Sequence, residues 1–137
     1  MTNQNEEQQP VDIKSVYLAG PMRNLPLFNF PEFNRMADNL RSHGIKVFNP
    51  AEEDAAIDGF DPAKDKAKSM SYYMTRDLPA VCQQDAVAVL AGWERSQGAR
   101  LEVYVARALG KPIIDAYTRL PVKAECVECL LKSPIGS

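Results

Sequence analysis

The sequence predicts an α/β fold, in which a short parallel sheet lies between two layers of helices. Three observations predict it. Short, almost wholly apolar runs alternate with segments of helical periodicity, as strands covered on both faces do. Several of the helical segments open at a side chain suited to capping or close at a glycine. The order β-α-β-α-β-α-β-α implies parallel strands joined by crossover helices.

The elements follow in chain order. Ile13 to Gly20 reads as a buried strand ending at a glycine. Pro21 to Asn29 is a loop, in which Asn29 can cap the next helix, and Pro31 suits that helix's first turn. Phe30, Phe33, Met36, Ala37 and Leu40 recur at helical spacing, and Gly44 stands where a left-handed cap ends the helix. His43, the one histidine, falls in the last turn, where it suits the helix dipole and reads as a surface residue. Ile45 to Asn49 is a second strand, closed by the turn signal Asn49-Pro50. Residues 51–69 are charged and contain Gly59 and Pro62, so a mobile, lid-like loop with about one helical turn is expected. Ser69 or Ser71 caps a helix running to about Gln84, with a kink expected at Pro79. Asp85 to Ala91 is the central strand, and Asp85 is expected to fix the turn before it. Gly92 to Gln97 is a loop. Gly98 to Leu109 is a helix with Leu101, Val105 and Ala108 on one face, closed by Gly110. Pro112 to Ala116 is the fourth strand, and Pro121 to Lys132 a final helix. The expected architecture is a flavodoxin-like three-layer sandwich with strand order 2-1-3-4. Ligands of such sheets lie outside the carboxyl ends of the strands, at the switch between strands 1 and 3.

Bulk properties narrow the function. A chain of 137 residues, 45% hydrophobic and 25% charged, fits one domain with a core that needs no metal or disulfide staple. Residues 13–132 are expected to form that domain, with 1–12 a disordered polar tail. A net charge of −2 provides no basic field for polymeric nucleic acid, although one or two placed cations still hold a single phosphate. The start of the chain lacks the basic and apolar regions of a signal peptide, and no apolar run spans a bilayer. A cytoplasmic protein without a membrane partner is expected. The three cysteines are Cys82, Cys126 and Cys129. The isolated Cys126-x-x-Cys129 reads as neighbouring turns of a helix, so no disulfide or metal site is expected.

Candidate chemistry falls in three segments. After the first strand, Tyr17 offers a hydroxyl, Gly20 allows a ligand close to the backbone, and Arg23 offers a planar fork for phosphate or carboxylate. Taken alone, this is also an ordinary turn with a surface arginine, and no GxGxxG follows. After the third strand, Ser96 suits a helix N-cap and the place where a phosphate meets a helix start. Gly98 permits close approach, and Trp93 either stacks on a base or packs at the rim. Glu102, about one turn into the helix, is either a solvated acid or a carboxylate held ionised for attack on a sugar carbon. Asp77 borders the apolar stripe of Met74, Leu78 and Val81, and is either an exposed acid or a partner to Glu102.

Together these segments resemble one family. Tyr17-x-x-Gly20-x-x-Arg23, Asp77-Leu78, Ser96-x-Gly98-x-x-x-Glu102 and Leu109-Gly110-Lys111-Pro112 are similar to the nucleoside 2-deoxyribosyltransferase superfamily, which includes the 2′-deoxynucleoside 5′-monophosphate N-hydrolases. The wording Ala19-Gly20-Pro21-Met22, the Phe-Asn helix, Phe48-Asn49-Pro50-Ala51-Glu52 and Gly92-Trp93-x-x-Ser96-x-Gly98-Ala99-x-x-Glu102 resembles a subgroup often encoded by phages, much of it without assigned function. The resemblance covers residues 13–116. It implies that Glu102 is the nucleophile at the deoxyribose anomeric carbon, that Asp77 assists departure of the base, and that Tyr17 positions nucleophile or sugar. It further implies that Ser96 and Gly98 bind a 5′-phosphate and that the protein is a homodimer or higher oligomer. No cofactor is implied, and the location would be cytoplasmic, in the host if phage-encoded. Trp93-Glu94-Arg95, Arg100 and the 51–69 segment depart from better-known members. A nucleotide-binding protein without catalysis, or an NAD-cleaving enzyme, is the alternative.

Overall fold

A computed structural model describes residues 12–123, 127–128 and 131–132. Four parallel strands form one sheet in the order β2-β1-β3-β4: β1 Ser15–Ala19, β2 Lys46–Phe48, β3 Ala86–Val89 and β4 Ile113–Asp115. This is the order expected from the sequence. The register is fixed by Tyr17 opposite Phe48 on one side and Val87 on the other, and by Val89 opposite Asp115.

Alternation along the strands divides the core in two. Val16, Leu18, Ala86 and Ala88 face α1 (Phe30–Ser42), whose Phe33, Met36, Ala37 and Leu40 are buried at the spacing the sequence shows. Tyr17, Ala19, Val87 and Val89 face the opposite layer, with Ala80 and Val81 of α3 (Met70–Gln83) and Ala99, Val103 and Ala106 of α4 (Gln97–Ala108). The small alanines of β3 leave room for the large side chains of α1. Both faces are therefore covered, which is why the strands carry so few polar residues.

Several expectations are corrected. Residues 51–69 hold more than the single helical turn expected: Pro50–Asp58 form a helix, α2, and only 59–69 run as loop and turn. The Asn49 side chain caps it by accepting from the Ala51 N–H (3.0 Å), Pro50 occupies the first turn, and Gly59 ends it with φ +64°. The buried residues of α4 are Ala99, Arg100, Glu102, Val103 and Ala106, while Leu101 is 40% exposed. Asn29 precedes α1 as expected but is left-handed, and its side chain donates to the Pro21 carbonyl rather than capping the helix. Asp85 secures the start of β1, accepting from the N–H groups of Lys14 (2.8 Å) and Ser15 (3.2 Å). Pro121 lies in an extended bridge beside Ile114 and begins no helix. Residues 127–128 and 131–132 are helical, whereas Cys126 and Cys129 lie outside the described residues. Cys82 is an exposed free thiol. No helix among the described residues is long and apolar enough to cross a membrane.

At the end of β1 the chain passes Leu90 so closely that a Cβ on Gly20 would lie 2.8 Å from the Leu90 Cβ and 2.9 Å from its Cδ1. The close approach that requires glycine here is thus to Leu90, which is buried and donates its N–H to the Ala19 carbonyl (2.9 Å). Gly20→Ala is predicted to cost about 1–3 kcal/mol through overpacking. Urea unfolding should show a lower midpoint at unchanged slope. An unchanged midpoint would mean that Leu90 moves aside freely.

Candidate functional site

The loops after β1 and β3 converge with α3 and the segment after α2 on one cavity of about 530 Å³. That volume suits a nucleoside or nucleotide-sized ligand. Tyr17, Gly20, Arg23, Asp77, Ser96, Gly98 and Glu102, all singled out from the sequence, line it. Trp93 does not. It sits in a 3-10 turn (Trp93–Arg95), buried in the core cluster of α3 and α4. The aromatic surface of the cavity comes instead from Phe28, Phe30, Phe33, Phe60 and Tyr73 beside Tyr17, with Phe60 edge-on to Phe28 at 5.3 Å. Leu27, Phe28 and Asn29 are all left-handed, an unfavourable run for residues with side chains, and it leaves Phe28 on the cavity wall.

The centre of the site is a buried pair. The Tyr17 hydroxyl donates to Glu102 Oε2 at 2.6 Å. Tyr17 is 0% and Glu102 5% exposed. β1 supplies the tyrosine, held by ring stacking on Phe48 at 5.4 Å, and the second turn of α4 supplies the acid. Asp77, 3% exposed in the middle of α3, completes the wall. The expectation that the helix start keeps Glu102 ionised is overturned. Five residues beyond Gln97, Glu102 lies past the first turn, where the dipole fades. Burial pushes its carboxyl well above the usual carboxylate range; the Tyr17 hydrogen bond opposes this, and the Asp77 charge adds to it. Burial also raises Asp77, against the opposing pull of the Arg76 guanidinium. The Tyr17 hydroxyl is itself raised, first by burial and then by both carboxylates.

The sequence reading missed Arg76 and Asp54. Arg76 Nε donates to Asp77 Oδ1 at 2.6 Å, and its Nη1 donates to Asp54 Oδ1 across the gap to α2. Burial works against the Arg76 charge, but the two carboxylates outweigh it and hold the guanidinium more firmly protonated than usual. Asp54 was hidden because its helix was read as loop. Arg76 had a visible signal, its place next to Asp77.

The remaining candidates act as ties. Ser96 Oγ caps α4 by accepting from the Ala99 N–H (3.1 Å) while its residue lines the cavity. Gly98 faces α3, where an added Cβ would make ordinary contact with Met74 at 3.5 Å. Arg23 is exposed and donates to the Lys68 carbonyl at 2.6 Å, joining the loop after β1 to the segment before α3. Among the described residues, no group of three His, Cys, Asp or Glu side chains is arranged to hold a metal.

Because its folded-state pKa exceeds the ordinary 4.5, Glu102 takes up its proton more readily in the folded protein than in the unfolded chain. Its contribution is therefore most favourable below about 4.5 and is lost as pH rises through the folded-state value. Glu102→Gln keeps an acceptor for Tyr17 and removes the titration. The variant is predicted to be more stable than the parent at pH 7–8 by about 1 kcal/mol, a few degrees in Tm, with the gain shrinking towards pH 4. Thermal melts across that range check it, and a Gln variant less stable at neutral pH would contradict it.

The solved structure of BlsM, determined in solution, aligns with a TM-score of 0.56 at 22% sequence identity. The alignment covers 74% of this chain and 63% of BlsM, so the chain spans less than two thirds of that protein's length. At this identity the likeness is one of fold. No curated protein matches the chain. The family DUF4406, described as a domain of unknown function, matches residues 14–115, from the entry to β1 to the end of β4. That match spans most of the sequence and every residue of the site described above, and the chain belongs to the DUF4406 family.

Proposed function

We propose that this protein cleaves or transfers at the N-glycosidic bond of a 2′-deoxynucleoside or its 5′-monophosphate. The observation that carries the reading is the buried Tyr17–Glu102 pair with Asp77 beside it, all on one cavity wall at the switch point of the sheet. The motif resemblance to the nucleoside 2-deoxyribosyltransferase superfamily, and to its phage-type subgroup, supports it. The fold shared with BlsM is compatible with it.

On this reading Glu102 attacks the anomeric carbon as its bond to the base nitrogen breaks. A proton from Asp77 goes to the departing base, and the sugar is left esterified to Glu102. Water then hydrolyses that ester in a hydrolase, and a second base displaces it in a transferase. Positive charge developing on the sugar favours the ionised carboxylate in the transition state, offsetting the burial that opposes it in the free protein. Ser96 and Gly98, at the start of α4, offer the phosphate position. Exposed Leu101 and Tyr104 on α4 supply apolar surface for the homodimer or higher oligomer that the resemblance implies. A cytoplasmic setting, in the host cell for a phage protein, belongs to the same reading.

The test is release of free base from each deoxynucleoside and each 5′-monophosphate, followed by chromatography. Release is expected from at least one substrate. Glu102→Ala should abolish it, and Asp77→Asn should lower kcat by about 10²–10⁴-fold. Full turnover in Glu102→Ala would end the assignment, and tight retention of nucleotide with no release would favour a binding protein.

The reactive form holds one proton between the two acids, so kcat/KM should be bell-shaped in pH, with limbs that belong to the pair. Protonation of Glu102 removes the nucleophile. Its raised pKa therefore places the acid limb above the ordinary 4.5, with rate rising as pH increases through it. A rate independent of pH from 4 to 8 would contradict this.

A further inference from the structure

Arg76 has three kinds of donor, and the protein uses two. Nε is committed to Asp77 and Nη1 to Asp54. Nη2 is buried and has no hydrogen-bond partner among the described residues, yet the side chain lines the cavity. A buried guanidinium nitrogen left unpaired is costly, so a fork held this firmly and left incomplete calls for an acceptor. The orientation is not accidental. The two carboxylates come from different helices, α2 and α3, and the Tyr73 ring lies beneath the guanidinium at 5.8 Å.

We propose that Arg76 is a ligand-binding residue of this cavity, its Nη2 donating to a neutral acceptor atom of the nucleobase. The proposal rests on the nucleoside reading of the site. Charge decides between the two ends of a nucleotide. The Arg76 charge is already matched by Asp54, and Asp77 adds a negative charge whenever its proton is off, so no positive charge is left over here and the carboxylates repel a phosphate. A carbonyl oxygen or ring nitrogen carries no net charge and accepts one N–H without that repulsion. Asp77, the proton donor to the base, is bonded to the same guanidinium, which sets the base end of the ligand here. Arg76 would also discriminate: a base with an acceptor in reach satisfies Nη2, and one without leaves it unpaired.

The experiment is calorimetric titration of the whole chain and of Arg76→Lys, with deoxynucleoside 5′-monophosphates and with 2-deoxyribose 5-phosphate, which has the sugar and phosphate but no base. Lysine keeps the charge and loses the fork. Affinity for the nucleotide should fall about tenfold or more, and affinity for the sugar phosphate should be unchanged. Equal loss for both ligands, or no loss for either, overturns the proposal. Failure of the parent protein to bind any of these ligands would instead defeat the nucleoside reading itself, and the proposal with it. A second measurement needs no variant. The guanidinium nitrogen resonances of Arg76 should shift on addition of the nucleotide and stay in place with the sugar phosphate. Resonances indifferent to the nucleotide would overturn the assignment even if Arg76→Lys does not fold.

Discussion

A carboxyl group removed from water must be partnered or neutral, and Glu102 is held by one hydrogen bond from Tyr17 at 2.6 Å. Much of the fold serves that contact. Tyr17 is fixed by its strand, which lies between β2 and β3, and by the Phe48 ring stacked against its own. Glu102 is fixed by α4, which is capped by Ser96 and anchored on the sheet through Val103 and Ala106. Residues 85 positions apart meet because a parallel sheet brings the ends of its first and third strands together.

The second constraint is charge. Asp54, Asp77 and Glu102 all lie on the cavity, and three buried acids repel one another unless a cation intervenes. Arg76 intervenes between Asp54 and Asp77. Burial raises both Asp77 and Glu102 above the ordinary carboxylate range, and the Arg76 guanidinium opposes this chiefly at Asp77, to which it is bonded. The two acids are therefore pushed unequally by surroundings only a few residues apart in space. Such a pair shares protons and so divides chemical labour. The same bonds tie α2 to α3, so the geometry of Asp77 depends on a residue, Asp54, that lies outside the recognised motifs.

Much of this was legible in the sequence, because strand composition and helix spacing are local signals. The strand order, the burial of α1 and the meeting of the segments around residues 17 and 102 follow from them, whereas the place of Asp77 beside these came from the motif resemblance. The errors have physical causes. The buried residues of α4 are small ones with two charged side chains, Arg100 and Glu102, so the larger Leu101 looked like part of the inner face. α2 has a polar sequence with little periodicity, but its beginning and end are marked by Asn49-Pro50 and Gly59. Capping chemistry marks that helix where periodicity does not. Trp93, Gly20 and Asp85 have partners set by tertiary packing, in the core cluster, at Leu90 and at the start of β1 respectively. Asp54 and Arg76 meet across 22 residues, a pairing that no local pattern encodes.

The claim on which the account rests is that the Glu102 carboxyl is buried, bonded to Tyr17 and reluctant to ionise. Carbon-13 NMR of the side-chain carboxyls, assigned through Glu102→Gln and followed over pH, measures this directly. The account predicts that the Glu102 resonance titrates with a midpoint well above the ordinary 4.5, displaced further when Tyr17 is replaced by phenylalanine. A midpoint at or below 4.5, indifferent to Tyr17→Phe, would contradict it.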